Sequence, residues 1–364
     1  MKTCLKSSNK TNVFMLSPVR FNGLWQRHQA FAAELAKRGY LVFFIEPFLT
    51  GGLGLNIAEP KEFLGNLKVI TVKVPFKASS FPALQKIAVK FAMMQVLKNV
   101  KTDECLLWVA EPSMAEFTAT RWKQILYDRC DRHGFFPGQR TSAWRNYEAE
   151  LYEKADFVSV SHPYLLKDVP PILGKTLIVK NAVSDKYLKR VKQNCKPVSV
   201  QDNILRPLEL VSAGAHFEWT DFSWLEWLIN SENSCRPIRL HIAGAGRGRD
   251  FERLINAPNV IFHKKLSHEK LFELLRTCDV GLVPFADTEL IRGVDPIKVY
   301  EYVACGLQVW APDVSSLREN PYITHFVGKG KGLPNLSRSC FEQPLDLPTW
   351  ADRIEVLLDE VRLL

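Results

Sequence analysis

The 364-residue chain has no Cys-x-x-Cys pair: its cysteines stand singly at Cys4, Cys105, Cys130, Cys195, Cys235, Cys278, Cys305 and Cys340. That scatter argues against a zinc knuckle or a disulfide framework, and free buried thiols in a reducing cytoplasm are the expectation. Long apolar runs are missing too: stretches such as Leu41–Ile45 fall far short of the roughly 20 residues a spanning helix needs. The opening Met1–Asn12 is polar, so no signal peptide is expected there. No Asp-x-Asp occurs, so the common carboxylate metal motif is absent. The loop Gly244-Ala-Gly246-Arg-Gly248 lacks the Gly-x-Gly-x-x-Gly spacing, which argues against a dinucleotide site. One absence is local. Between Glu62 and Asp103 there is no acidic residue, while Lys68, Lys73, Lys77, Lys86, Lys90, Lys98 and Lys101 all fall there.

What is present is an ordinary globular composition, 46% hydrophobic and 24% charged, long enough for two domains. The net charge of +9 favours an anionic membrane, nucleic acid or a phosphate-bearing substrate.

Strand and helix patterns alternate twice along the chain. Val13–Leu16, Leu41–Ile45, Lys68–Val74, Cys105–Ala110, Ile125–Tyr127, Phe157–Ser161 and Thr176–Lys180 read as strands, with helices at Gln26–Arg38, Pro82–Lys101 and Ala143–Lys154. The pattern restarts with strands Leu208–Ala213, Ile238–Ala243, Val260–His263, Val280–Pro284 and Gln308–Ala311, and helices Phe222–Ile229, Lys270–Thr277 and Pro296–Cys305. This predicts two Rossmann-like, doubly wound α/β domains facing a cleft. The expected boundaries are 1–187 for the first domain, 188–207 for a linker and 208–345 for the second domain. A closing helix over 346–364 has the option of returning to the first domain.

The richest segment is Gly293-Val-Asp-Pro-Ile-Lys-Val-Tyr-Glu-Tyr-Val-Ala-Cys-Gly306. Asp295 is expected to cap a helix, Pro296 to occupy its first position and Gly306 to stop it. Lys298 and Glu301 stand three residues apart and share a face. A helix start with an ammonium beside it suits a diphosphate, and a carboxylate one turn deeper suits sugar hydroxyls. The plain alternative is a solvated ion pair. In the first half, Asp128 and Asp131 follow a strand end in Tyr127-Asp-Arg-Cys-Asp131. Asp131 is the expected general base, with Asp128 orienting the loop and His28 and His133 in reserve. A turn carboxylate bonded to backbone is the alternative for either acid.

These patches carry a resemblance. The Pro-x-Lys-x-x-Glu-Tyr-x-Ala-x-Gly helix at Pro296–Gly306 is similar to the nucleotide-sugar clamp of GT-B glycosyltransferases, especially the bacterial group-1, family-4-like branch. Trp25-Gln-Arg-His-Gln29 resembles that branch's Trp-x-Arg-Pro-Gln start, with His28 in the proline's place. Ile125–His133 resembles its Tyr-Asp-x-x-Asp-Asp patch, with Arg132 replacing the last acid. Retaining members often carry a second glutamate eight positions before the one matched by Glu301; here that position is Gly293, so no stereochemistry carries over. The resemblance implies a hexosyltransferase-like enzyme that needs no cofactor and no metal. Gly214, Arg247, Asp295, Lys298 and Glu301 would bind the donor, and Asp131, Asp128 and His28 would serve catalysis.

The expected acceptor is a glycan or lipid-linked glycan in surface polysaccharide or lipopolysaccharide assembly. On the wheel of Pro82–Lys101 the lysines share an arc with Ile87, Met94 and Leu97, which suits a peripheral seat on anionic lipid at the inner face of the cell membrane. Lysine stems lying over a core helix are the alternative. A nucleotide-sugar epimerase of the same fold is the rival enzyme. A basic nucleic-acid-binding protein is the rival of another class; the aromatics needed to track a strand are not interleaved with these lysines, so nucleic acid is not expected as a partner.

Overall fold

The computed structural model describes residues 10–63, 65–74, 81–171, 176–193, 206–231, 236–329, 332–334 and 346–361. The chain divides into two units: Met1–Lys180 with Trp350–Leu364, and Asn181–Thr349.

Unit 1 is built on β1 (Asn12–Leu16), α1 (Arg27–Lys37), β2 (Val42–Ile45), β3 (Leu49–Thr50), β4 (Gly54–Ala58), β5 (Leu67–Val74), α2 (Pro82–Val96), β6 (Cys105–Val109), β7 (Gln124–Arg129), α3 (Thr141–Lys154), β8 (Phe157–Val160) and β9 (Thr176–Ile178). Its sheet runs β3-β5-β2-β1-β6-β7-β8-β9, parallel except that β4 pairs antiparallel with β5. The strands β1, β2 and β6 are apolar nearly throughout because helices cover both faces. One face packs Phe14, Leu107, Tyr127 and Val158 against Ala88, Val89 and Ala92 of α2 and Leu151 of α3. The helix α1 starts at a Gln26–Gln29 capping box and is followed by Gly39 at a φ of 84°.

Unit 2 holds α4 (Asp185–Gln193), β10 (Leu208–His216), α5 (Phe222–Ile229), β11 (Ile238–Gly246), α6 (Arg249–Ile255), β12 (Val260–Phe262), α7 (His268–Leu275), β13 (Val280–Leu282), α8 (Ile297–Ala304), β14 (Gln308–Ala311) and β15 (His325–Phe326). Its sheet is parallel in the order β12-β11-β10-β13-β14-β15. The chain winds outward from β10 to β12, then returns to the other side of β10, which makes β10/β13 the switch point where such sheets bind ligands. The remaining helix, α9 (Trp350–Val361), belongs to unit 1: Trp350 meets Phe31 of α1 edge to face at 5.4 Å, and Arg38 donates to the Ala351 carbonyl.

Three expectations change. The first domain ends at Lys180, not 187, because the Asn181 N–H bonds the Asp295 carboxylate and Tyr187 packs on Phe272, both in unit 2. Residues 188–193 of the expected linker are the end of α4, and 194–205 lie outside the described residues. The helix expected to reach Lys101 stops at Val96, where a turn with Asn99 at a φ of 66° leads away. Lys98 and Lys101 therefore lie beyond it.

Candidate active site

In unit 2 the pairing of β10 with β13 extends only through Leu210–Val280 and Val211–Gly281, after which the strands part. Tyr302 of α8 fills the gap. Its hydroxyl accepts from the Ala213 N–H at 2.8 Å and lies 3.4 Å from the Leu282 carbonyl it donates to, and its ring lies where a Cβ on Gly281 would be. This pins α8 beneath the switch point and sets Lys298, one turn toward the helix start, beside Gly214. A Cβ on Gly214 would lie 3.4 Å from Lys298 Nζ. Gly214 and its register partner Gly244 both have positive φ, and a Cβ on Gly244 would meet the Gly214 carbonyl oxygen at 1.8 Å. Both backbones are thus kept bare where a ligand approaches.

The charges here lack partners. Among the described residues neither Lys298 nor Glu301 forms an ion pair or side-chain hydrogen bond; Lys298 Nζ lies over the Phe285 ring, 5.2 Å from its centroid. Burial pulls the Lys298 ammonium down to about 8, opposed by the Glu301 charge. Burial pushes Glu301 up to about 7, with Lys298 pulling the other way. His216, at the end of β10, hydrogen-bonds Ser212 at 2.8 Å and is held neutral near 3 by burial and by the Lys298 charge. The start of α8 has no side-chain cap, so its first N–H groups remain available to an anion.

Two expected donor ligands are otherwise engaged. Pro296, not Asp295, is the N-cap of α8, in extended conformation. The Asp295 carboxylate instead accepts from the Asn181 N–H at 2.6 Å and from the Tyr300 hydroxyl at 3.0 Å. It ties the start of unit 2 to its clamp. Arg247 is exposed and pairs with Glu218 at 2.8 Å, with its guanidinium over Phe217.

Unit 1 gathers the other candidates. Asp128 is fully buried in a two-pronged contact with Arg27, at 2.9 Å to Nε and 2.8 Å to Nη2, and accepts from the Ser159 hydroxyl at 2.6 Å. Burial opposes its ionisation, but the Arg27 charge, its hydrogen bonds and Ser159 outweigh that and hold the carboxyl below its ordinary value. Arg27 also donates to the Val179 carbonyl at 2.6 Å. Asp128 is thus an anion with both oxygens engaged, an arrangement that suits orienting the loop rather than taking a proton. His28 is buried, with Nε2 3.6 Å from the Cys130 sulfur and Nδ1 unpartnered. Burial takes it to about 4, against the pull of Asp128 and with the help of Arg27. His133 is buried and stacked on Trp144, and burial with the Arg129 charge takes it to about 3. Both imidazoles are therefore neutral at neutral pH.

Asp131 differs. It is only partly buried, has no cation within ion-pair distance among the described residues, and has the Cys130 thiol 3.7 Å from Oδ2. Burial pushes it up to about 7, opposed by that contact and by Arg27 and Arg129. A base with that value is half ionised at neutral pH. Sequence reasoning gave no role to Arg27, whose only signal was its place in the Trp-x-Arg motif, or to Tyr302, whose only signal was its place after Glu301 in the clamp motif.

Comparison with known proteins defines the class. Residues 210–359, which span most of the second unit and part of α9, match the family described as Glycosyl transferases group 1, and the fold is GT-B. A curated relative is the putative teichuronic acid biosynthesis glycosyltransferase TuaH of Bacillus subtilis, 22% identical over 243 residues. That match covers 62% of this chain and 60% of the relative's length. Similar solved structures include sucrose-phosphate synthase from Thermosynechococcus elongatus, with a TM-score of 0.63, 14% identity and coverage of 97% of this chain and 91% of that one. A trehalose-6-phosphate structure from E. coli bound with UDP-2-fluoro glucose gives 0.60 at 11% identity, covering 97% and 96%. An α,α-trehalose-phosphate synthase from Burkholderia xenovorans, in complex with glucose-6-phosphate, gives 0.61 at 14%, also covering 97% and 96%.

Proposed function

We propose that the protein is a glycosyltransferase that moves a sugar from a UDP- or other nucleotide-sugar donor to a hydroxyl of a glycan or lipid-linked glycan, in surface polysaccharide or lipopolysaccharide assembly. The observation that carries this reading is the unpartnered Lys298 and Glu301 on α8, beside the bare backbone of Gly214. A desolvated ammonium at an open helix start is poised for a diphosphate, and a raised carboxyl one turn on suits ribose hydroxyls. Support comes from the E. coli neighbour bound with UDP-2-fluoro glucose and from the teichuronic acid name of the Bacillus relative.

In the transfer, the acceptor oxygen bonds the anomeric carbon as the carbon–phosphate-oxygen bond breaks. The nucleoside diphosphate leaves with the electron pair, its charge met by Lys298 and the α8 start. For an inverting transfer, Asp131 takes the acceptor proton. Gly214 gives the donor its close approach, while Arg27 and Asp128 hold the loop that carries Asp131.

The protein would work at the cytoplasmic face of the membrane as a peripheral protein. No helix among the described residues is long and apolar enough to cross a membrane. On α2 an exposed stripe of Ile87, Lys90 and Met94, with Lys86 beside it, suits the headgroup boundary of anionic lipid.

The test of the donor site is calorimetry with UDP and a panel of nucleotide sugars against Lys298→Ala and Glu301→Ala. Each variant should keep the wild-type fold by circular dichroism and lose on the order of 1.5–3 kcal/mol of affinity. Unchanged affinity for every nucleotide that binds the wild type sinks the assignment.

A further inference from the structure

Unit 1 contains a cavity of about 790 Å³ lined in part by Arg132, Phe135, Trp144, Arg145 and Tyr152, within the size range of sites for small organic ligands. Its walls are aromatic and rigid. Trp144 is stacked on His133, with ring centroids 5.4 Å apart, and its indole N–H donates to Gln139 at 2.9 Å. Such a fixed ring offers a flat apolar surface to the C–H face of a pyranose.

The polar groups divide into two kinds. Arg129 is held by Glu148 at 2.9 Å and Asp168 at 3.0 Å. Arg132 shares Asp168 at 3.1 Å and lies over the Phe135 ring. Those charges are already answered. Arg145, in contrast, has no ion-pair or hydrogen-bond partner among the described residues, although it lines the same cavity. The Tyr152 hydroxyl is also orphaned: the residue is only 9% exposed, yet its oxygen has no hydrogen-bond partner among the described residues. A buried hydroxyl left unpaired is costly, and its usual explanation is a group that arrives from outside.

We propose that this cavity is a binding site for an acidic saccharide. The pyranose would lie on Trp144, one of its hydroxyls would meet Tyr152, and its carboxylate or phosphate would meet Arg145. The inference rests on the glycosyltransferase reading in one respect: the bound residue is taken to be part of the acceptor, held by the same turn that carries Asp131, one position before Arg132.

The test is calorimetric titration of the full chain with methyl glucuronide, glucose 6-phosphate and methyl glucoside. At least one acidic sugar should bind about tenfold or more tightly than the neutral glucoside, the gain expected of a charge-assisted contact. Which acid binds separates a carboxylate ligand from a phosphate. Arg145→Gln should abolish the preference, Trp144→Ala should remove binding of all three, and Tyr152→Phe should weaken binding without lowering the melting temperature. A preference that survives Arg145→Gln, or the absence of any preference, overturns the proposal; so does a Tyr152→Phe variant that melts earlier, which would mark the hydroxyl as structural. Repeating the titrations in Lys298→Ala keeps the two sites apart, because loss of nucleotide binding there should leave the acidic-sugar isotherm unchanged.

Discussion

Unit 1 and unit 2 each bring a carboxylate and a cation below the surface, and the two arrangements behave in opposite ways. Arg27 and Asp128 saturate one another, with Ser159 and the Val179 carbonyl completing the set, and the Asp128 carboxyl is held below its ordinary value. Lys298 and Glu301 share a helix face without a hydrogen bond between them, and both are pushed toward neutrality. Asp131 belongs with the second kind, raised to about 7 with no cation in contact among the described residues. A buried charge that is fully answered holds a fold together. One left unanswered is a candidate for a ligand or a proton.

The largest expected effect tests Asp131. Asp131→Asn should slow transfer by about 10²–10⁴-fold while leaving nucleotide affinity intact; near-wild-type turnover would remove the base assignment. The same variant has a second signature. The folded carboxyl titrates near 7 and the unfolded one near 4, so the wild type loses stability as pH rises across that window. Asparagine does not titrate, so its melting temperature relative to wild type should climb between pH 4 and pH 7 and then level off.

Arg27→Ala comes next. It leaves Asp128 buried without its cation, and denaturant unfolding at pH 7 should show a loss of about 3–5 kcal/mol. The pair's contribution is present above the unfolded carboxylate range near pH 4 and fades as pH falls toward the lower folded value. Should Arg27→Ala cost no more stability than Lys298→Ala, the distinction between the two kinds of charge fails.

A smaller effect sharpens the same contrast through pH. Lys298 loses its proton near 8, so affinity for UDP should fall as pH rises through that value. Lys298→Arg, which stays charged, should flatten the dependence. An equally steep fall in the arginine variant would point to another group.

The smallest effect lies on α2 and the turn after it, where each lysine near anionic lipid contributes about 1 kcal/mol. Lys86 is partly answered by Glu116 at 3.0 Å, whereas Lys98 has no ion pair among the described residues. Lys98→Gln should therefore reduce cosedimentation with anionic vesicles at low salt more than Lys86→Gln does. Wild-type protein that ignores such vesicles would make the helix and its following turn purely structural.

The division between readable and unreadable features follows sequence distance. The alternation of strands and helices was legible because apolar runs and caps are local, and Lys298 and Glu301 were legible because one short helix carries both. The Arg27–Asp128 pair spans 101 positions, and no local rule joins such residues. Asp295 satisfied every rule for a cap, yet Asn181, 114 positions away, took its carboxylate. The lysine run looked unopposed only along the chain: in space Glu59 stands 3.5 Å from Lys68 and Glu116 stands 3.0 Å from Lys86. The strand β3 was missed because it is only two residues long, and β4 because it is a mostly exposed edge that follows glycines.

The return of α9 to unit 1 has a consequence for synthesis on the ribosome. Domains emerging from the ribosome commonly fold in order, the earlier one first. Here the unit begun first waits for its closing piece until residues 350–361 have emerged, because Trp350 seats on Phe31 and Gln124 donates to the Val361 carbonyl. Unit 2 lies wholly between and can close earlier. A nascent chain stopped at Thr349 would present a finished second unit together with an open apolar seam over α1, the kind of surface that chaperones hold.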